Sequence, residues 1–188
     1  MSFILLGILN SQVTGAGGGS YELIESQVLT SSASSVTFSG LSSYSEYKHL
    51  QVRATMSISG TYTGTVDTWV RLNGVTTNHS RHGLLGDGSS VTSYGGTSSS
   101  RITMNDSMTG NSDNGIFGAY VFDFLDAYDT NKNTTMRALA GNYNTGARAI
   151  GLYSGAFLQT DAISSIYFQS SSGDLAAGSR FSLYGIRG

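Results

Sequence analysis

The alternation of residues 50–58 constrains this chain more than any other feature. Leu50, Val52, Ala54, Met56 and Ile58 are apolar, while Gln51, Arg53, Thr55 and Ser57 between them are polar. Successive strand side chains point to opposite faces, so a period of two makes a β-strand with one dry face and one wet face. The same period returns in Val66, Thr68, Val70 and Leu72, set against Asp67, Trp69 and Arg71. That stretch closes on Asn73-Gly74, the dipeptide best suited to positive φ in a tight hairpin turn. Ile116–Leu125 follows a second Asn-Gly pair at 114–115 and is apolar on both faces apart from Asp123, which predicts a central strand covered on both sides.

Eight further segments read as short strands: Glu22–Leu29, Ser35–Phe38, His82–Leu85, Arg101–Met104, Thr134–Leu139, Ala147–Tyr153, Ile163–Gln169 and Arg180–Ile186. No segment sustains a helical period. Proline is absent, so the turns fall to glycine, of which there are 25, and to Asn and Asp. Short strands punctuated in this way predict an all-β, antiparallel two-sheet sandwich, jelly-roll-like in its connections. Two polar stretches, 86–100 and 105–115, interrupt the pattern and read as long loops at one end of the sandwich.

A chain of 188 residues suits one domain, and residues 21–188 are expected to form it. Residues 1–20 stand apart. Phe3, Ile4, Leu5, Leu6, Ile8 and Leu9 make a nearly unbroken apolar run, followed by the glycine-rich tether Thr14–Ser20. Two readings stand: an N-terminal extended arm that docks on a partner subunit, or a first strand of the same domain. The run is far shorter than the roughly 20 residues that span a bilayer, so no membrane anchor is expected. With no Lys or Arg before it and Asn10-Ser11-Gln12 behind it, it fits a secretory leader poorly.

Charge and cysteine usage exclude several classes. Charged residues make only 12% of the chain, the net charge is −2, and two Lys and eight Arg are scattered singly, which is no footprint for nucleic acid. There is no Cys, hence no disulfide, thiolate nucleophile or Cys-ligated zinc. Gly-x-Ser-x-Gly, His-Glu-x-x-His, phosphate-loop and dinucleotide signatures are all missing. His79 and His82 lie three apart, so in a strand they face opposite ways and share neither a ligand nor a proton. Asp129-Thr130-Asn131-Lys132-Asn133 begins like a calcium loop, but the sixth position is Thr134, the twelfth is Ala140 and Lys132 would repel the ion. A polar turn closed by Asx hydrogen bonds is the reading of that segment. Asn105, Asp106, Asp113 and Asn114 form a second, weak oxygen cluster. No catalytic residue, metal or cofactor is expected. Trp69 and Arg71 fall opposite the apolar positions of their strand, on an outer face, and form a candidate interface, since Trp and Arg are enriched in protein contacts.

Four segments carry a resemblance: Met1–Gln12 with its glycine tether, Tyr47–Arg53, Lys132–Arg137 and Gly178–Ile186. Through them the chain resembles, over nearly its whole length, small virion structural proteins of tailed bacteriophages, notably of aquatic and cyanobacterial hosts. The resemblance implies a virion component, expected to be non-enzymatic and on the outer surface of the particle, and three readings of its function compete. The first is a head decoration or cement protein, trimeric, whose arm contacts the major capsid protein or other virion subunits. The second is a tail-fibre or receptor-binding module that contacts host polysaccharide. The third, a glycosidase on a jelly roll, requires two facing carboxylates, and Glu22, Glu25 and Glu46 all lie near the front of the chain.

Overall fold

The computed structural model describes residues 20–111, 115–144 and 147–188. Twelve strands follow one another: β1 (Tyr21–Val28), β2 (Val36–Ser39), β3 (His49–Met56), β4 (Thr61–Leu72), β5 (His79–Gly86), β6 (Val91–Ser99), β7 (Ile102–Asn111), β8 (Gly118–Leu125), β9 (Thr134–Asn144), β10 (Ala147–Phe157), β11 (Ser165–Ser170) and β12 (Arg180–Ile186). They form two antiparallel sheets, an eight-stranded one in the order β1-β12-β3-β8-β9-β10-β5-β6 and a four-stranded one in the order β2-β11-β4-β7. The fold is the expected all-β sandwich.

The strand order resolves further. Four strands of the large sheet, β1-β12-β3-β8, face β2-β11-β4-β7 in the eight-stranded arrangement of a double Greek key, which is the jelly roll. The other four strands are two inserted hairpins, β5-β6 between β4 and β7, and β9-β10 between β8 and β11. Both add to the same edge of the large sheet, so that sheet is twice as wide as its partner.

The core lies where the alternation puts it. Leu50, Val52 and Met56 of β3 are fully buried, and Phe122, Phe124, Phe168 and Phe181 interlock between the sheets. Phe168 meets Phe122 at 4.9 Å and Phe181 at 5.5 Å between ring centres, the offset and edge contacts that aromatic quadrupoles favour. Asn73 and Gly74 adopt positive φ, 54° and 68°, and Val75 N–H donates to Leu72 C=O at 3.1 Å. The turn therefore forms, but it joins no hairpin: β4 pairs with β7 and β11, and the chain after Gly74 crosses to the large sheet. The Asn73 side chain explains the site, since its Oδ1 accepts from Ser164 N–H at 2.8 Å and its Nδ2 donates to Ala162 C=O at 2.9 Å, which ties the turn to the entry of β11.

Three expectations need correction. Both presumed loops are largely strand: 86–100 contains β6, and 105–111 continues β7. Strand β6 escapes pattern reading because it is a sheet edge whose Ser, Thr and Gly residues are mostly exposed, held by backbone pairing to β5. Asn114 lies outside the described residues, as do Asp113 and its part in the oxygen cluster. Strand β8 is the fourth of eight, yet it is buried on one face only: Tyr120, Phe122 and Phe124 point inward, while Ala119, Val121, Asp123 and Leu125 face out. Its second apolar face belongs to an outer surface described below.

The free edge of β7 is sealed by an unusual contact. Tyr120, Tyr153 and Tyr94, from β8, β10 and β6, donate hydroxyl hydrogen bonds to the carbonyls of Ser107 (2.7 Å), Asn105 (3.0 Å) and Thr103 (2.9 Å). Carbonyls two apart in a strand point the same way, so alternate residues of β7 meet tyrosines on alternate strands of the large sheet. Asn105 N–H returns a bond to the Tyr94 hydroxyl at 2.9 Å. Each ring lies flat across a glycine, Gly118, Gly151 and Gly83 respectively, where a Cβ would collide with it. Burial pushes the phenols of Tyr120, Tyr153 and Tyr94 up, so they remain donors at neutral pH.

Candidate interaction surfaces

The outer face of the large sheet divides in two. Over β3 and β8 it carries a polar lattice, with Tyr21 and Leu23 of β1 exposed beyond it. Gln51 Nε2 and Arg137 Nε both donate to Asp123, at 2.7 and 2.8 Å, and Arg53 Nε donates to Gln51 Oε1 at 2.8 Å. The Arg53 guanidinium also sits over the Tyr184 ring, 5.1 Å from its centre.

Over the inserted hairpins the face carries an apolar row beside a polar one made by Arg137, Ser154 and His82. Pairing aligns Val121, Leu139, Leu152 and Leu84 as one row across β8, β9, β10 and β5. Ile150 and Val91 lie in the adjoining row. Leu84 is 48% exposed, Leu139 47%, Leu152 59%, Ile150 62% and Val91 70%. Directly opposed residues of neighbouring strands have Cβ atoms about 5 Å apart, so Val121, Leu139, Leu152 and Leu84 form a continuous row, with Ile150 two residues from Leu152 along β10 and Val91 diagonal to Leu84. Isolated exposed Leu or Val is ordinary, whereas a contiguous sheet of them marks a contact surface.

The outer face of the small sheet has a different chemistry. Trp69 and Arg71 emerge there from β4, half-buried and opposite Val66, Thr68, Val70 and Leu72, as the alternation requires. Pairing sets Tyr167 of β11 beside Arg71 and Thr103 of β7 beside Trp69. Arg101, just before β7, lays its guanidinium 3.7 Å from the Trp69 ring centre, and Arg71 stands 5.2 Å from that of Tyr167. Tyr167 donates to Gln169 Oε1 at 2.8 Å. Arg81 reaches the same neighbourhood from β5; burial first, then repulsion from Arg71 and Arg81, pulls the Arg101 guanidinium below its usual range. Tyr167 was legible as outward by its parity with Ile166 and Phe168. Arg101 was not, because its place depends on the β4-β7 register.

A cleft of about 670 Å³ opens at one end of the sandwich, lined by Thr65, Asp87, Ser89, Ser90 and Asp106 among others. Its carboxylates are engaged. Asp87 Oδ1 accepts from the backbone N–H groups of Ser89 and Ser90 at 2.8 and 2.7 Å, which holds that carboxyl well below the usual range. Asp106 Oδ1 accepts from the Thr65 hydroxyl at 2.8 Å. The neighbouring Asp67, whose Oδ1 accepts from Asp106 N–H at 3.1 Å, is pushed up by burial.

The remaining sequence candidates fall apart in space or into turns. His79 is buried, its Nε2 accepting from Leu72 N–H at 3.4 Å, and His82 is exposed on the opposite face. Asp129 Oδ1 accepts from Asn131 N–H at 2.9 Å, and Lys132 Nζ pairs with Asp126 at 2.7 Å, so the calcium-like segment is an Asx turn with a cation in its mouth. Among the described residues no group of three His, Asp or Glu converges. The arm residues Phe3, Ile4, Leu5, Leu6, Ile8 and Leu9 lie outside the described residues. No helix among the described residues is long and apolar enough to cross a membrane. No known protein family, curated protein or solved structure matches the chain.

Proposed function

We propose that this chain is a non-enzymatic structural protein of a tailed-bacteriophage virion, a decoration or cement subunit that docks on the outside of the head and stabilises it. The observation that carries the reading is the row of exposed Leu84, Leu139 and Leu152 across the inserted hairpins, with Ile150 and Val91 beside it. A jelly roll closes its own core with eight strands; β5, β6, β9 and β10 extend it with a surface that water solvates poorly. Such a surface is what an obligate subunit contact looks like before its partner arrives. The fold adds an analogy, since jelly rolls recur in viral capsid and lectin domains, though fold alone assigns no function. The major capsid protein and further copies of this chain, as a symmetric trimer, are the partners of this reading. The arm Phe3–Leu9 supplies a second, strand-like contact.

The double variant Leu84→Asp, Leu152→Asp tests it. Both side chains are about half exposed, so the variant is expected to fold and to melt within a few degrees of the parent. Light scattering after size exclusion is expected to give a trimer for the parent and a monomer for the variant, and the variant should no longer sediment with phage heads. A monomeric parent, together with unchanged sedimentation of the variant, would sink the proposal. A second reading, a receptor-binding module for host polysaccharide, is favoured by one observation, the arginine and aromatic face of the small sheet.

A further inference from the structure

We infer that the outer face of the small sheet, centred on Trp69, Arg71, Arg101 and Tyr167, is a binding site for an acidic saccharide, a sugar chain that carries carboxylates. The inference is independent of the head-docking reading and gives the second reading its ligand class. Four observations lead to it.

The first is unneutralised charge. Among the described residues the ion pairs are made by His49, Lys132, Arg137 and Arg187, and Arg71, Arg81 and Arg101 take part in none. Arg71 and Arg101 thus stand on one face without a counter-ion in a chain of net charge −2, and Arg81 approaches them from the inner face of β5. The nearby carboxylate, Asp67, is already turned to Asp106 N–H.

The second is unused hydrogen-bonding capacity. The Nε–H groups of Arg71 and Arg81 are buried with no acceptor, and the hydrogen bond from this trio is Arg101 Nε to Ser100 Oγ at 3.1 Å. A buried donor without a partner is costly and in a native protein calls for an explanation. The Tyr167 and Trp69 rings hold the guanidiniums of Arg71 and Arg101, which leaves them placed on this face for an incoming anion. Arginine recognises carboxylates in a planar, two-point fashion that a lysine cannot reproduce.

The third concerns the rest of the face. Thr37, Tyr167 and Gln169 surround the arginines with hydroxyl and amide groups matched to sugar hydroxyls, and the Trp69 and Tyr167 rings supply the apolar ground that the faces of pyranose rings prefer.

The fourth separates this site from a protein contact. The strongly exposed large apolar residues, such as Leu84, Ile150 and Leu152, lie on the large sheet or in connecting segments, and none lies on the small-sheet strands β2, β4, β7 or β11. A protein interface has an apolar centre; this face has a charged one.

The test is calorimetric titration of the full chain with a carboxylated oligosaccharide, tetragalacturonate, against neutral maltotetraose, inorganic phosphate and a short poly-aspartate at the same ionic strength. Tetragalacturonate is expected to bind at least tenfold more tightly than any of the other three. Arg71→Gln and Arg101→Lys are each expected to weaken it about tenfold, and Trp69→Ala likewise, whereas Arg137→Ala, on the other sheet, should leave it unchanged. Melting curves establish that each variant is folded; Arg101→Lys, which keeps the charge and loses the planar fork, serves if Arg71→Gln does not fold. Absence of tetragalacturonate binding at millimolar concentration, equal binding of maltotetraose, or equal binding of poly-aspartate or phosphate would each overturn the inference.

Discussion

Val52→Asp is expected to abolish folding, whereas Thr55→Asp, three residues along the same strand, should fold almost normally. Val52 is fully buried against the phenylalanine cluster, with Leu183 and Phe122 as its partners on the adjoining strands. An aspartate there would be a charge with no counter-ion in a dry core, a change in the class that costs more than about 4 kcal/mol. A domain of this size has only about 5–15 kcal/mol in total. Thr55 faces water, and a polar substitution there moves stability by about 0.5 kcal/mol or less. Circular dichroism with thermal melting distinguishes the two. If Val52→Asp keeps a cooperative melt, the register of β3, and with it the facing of the sheets, is wrong.

Removal of the three tyrosine hydroxyls is expected to have the next largest effect. Tyr120→Phe leaves the buried Ser107 carbonyl without its donor, at a cost of about 1–3 kcal/mol, the usual penalty for an orphaned buried acceptor. Tyr153→Phe and Tyr94→Phe act on the Asn105 and Thr103 carbonyls of the same edge, and Tyr94 also loses the bond from Asn105 N–H. The triple variant should therefore bring stability close to zero, because an unsealed β7 edge loosens the sheet it terminates. Hydrogen exchange should show the loss first at Asn105 N–H, then along β7, with the β3-β12 ladder protected longest. Gly151→Ala should resemble Tyr153→Phe, since its Cβ displaces the ring that carries the hydroxyl. Equal protection of β7 in the triple variant and the parent would refute the sealing role.

The jelly-roll half of the molecule was legible in the sequence because its strands are wet on one side and dry on the other. Leu50 to Ile58 and Val66 to Leu72 show that contrast directly: their apolar residues are buried as expected, but Gln51 and Ser57, read as wet, are buried too. The inserted half was harder to read for opposite reasons. Strand β6 is too polar to show a pattern, since Tyr94 is its residue packed against the core and the rest is edge. Strand β8 is too apolar, since Val121 faces outward beside Leu139 on the patch and mimics a strand covered on both sides. Periodicity reports which faces are apolar, and it does not distinguish a core face from an exposed one. The candidate site shows the same division. Trp69 and Arg71 could be set on an outer face by parity alone, but their company, Arg101 and Tyr167, is fixed by a register between strands about 30 and 100 residues apart in the chain. The tyrosines could be counted in the sequence, and nothing local indicated that three of them serve one strand edge.

Two outer faces of unlike chemistry suit a subunit that holds a particle with one and meets its surroundings with the other. Cryo-electron microscopy of intact tailed-phage particles assembled in cells that express this chain, with an antibody fragment raised against the folded sandwich as a marker, tests that account most directly. The account predicts marker density repeated over the icosahedral head, with the face of Leu84, Leu139, Leu152 and Ile150 turned toward the shell or a neighbouring copy. Marker density confined to the tail, or particles from which the chain is absent, would contradict it.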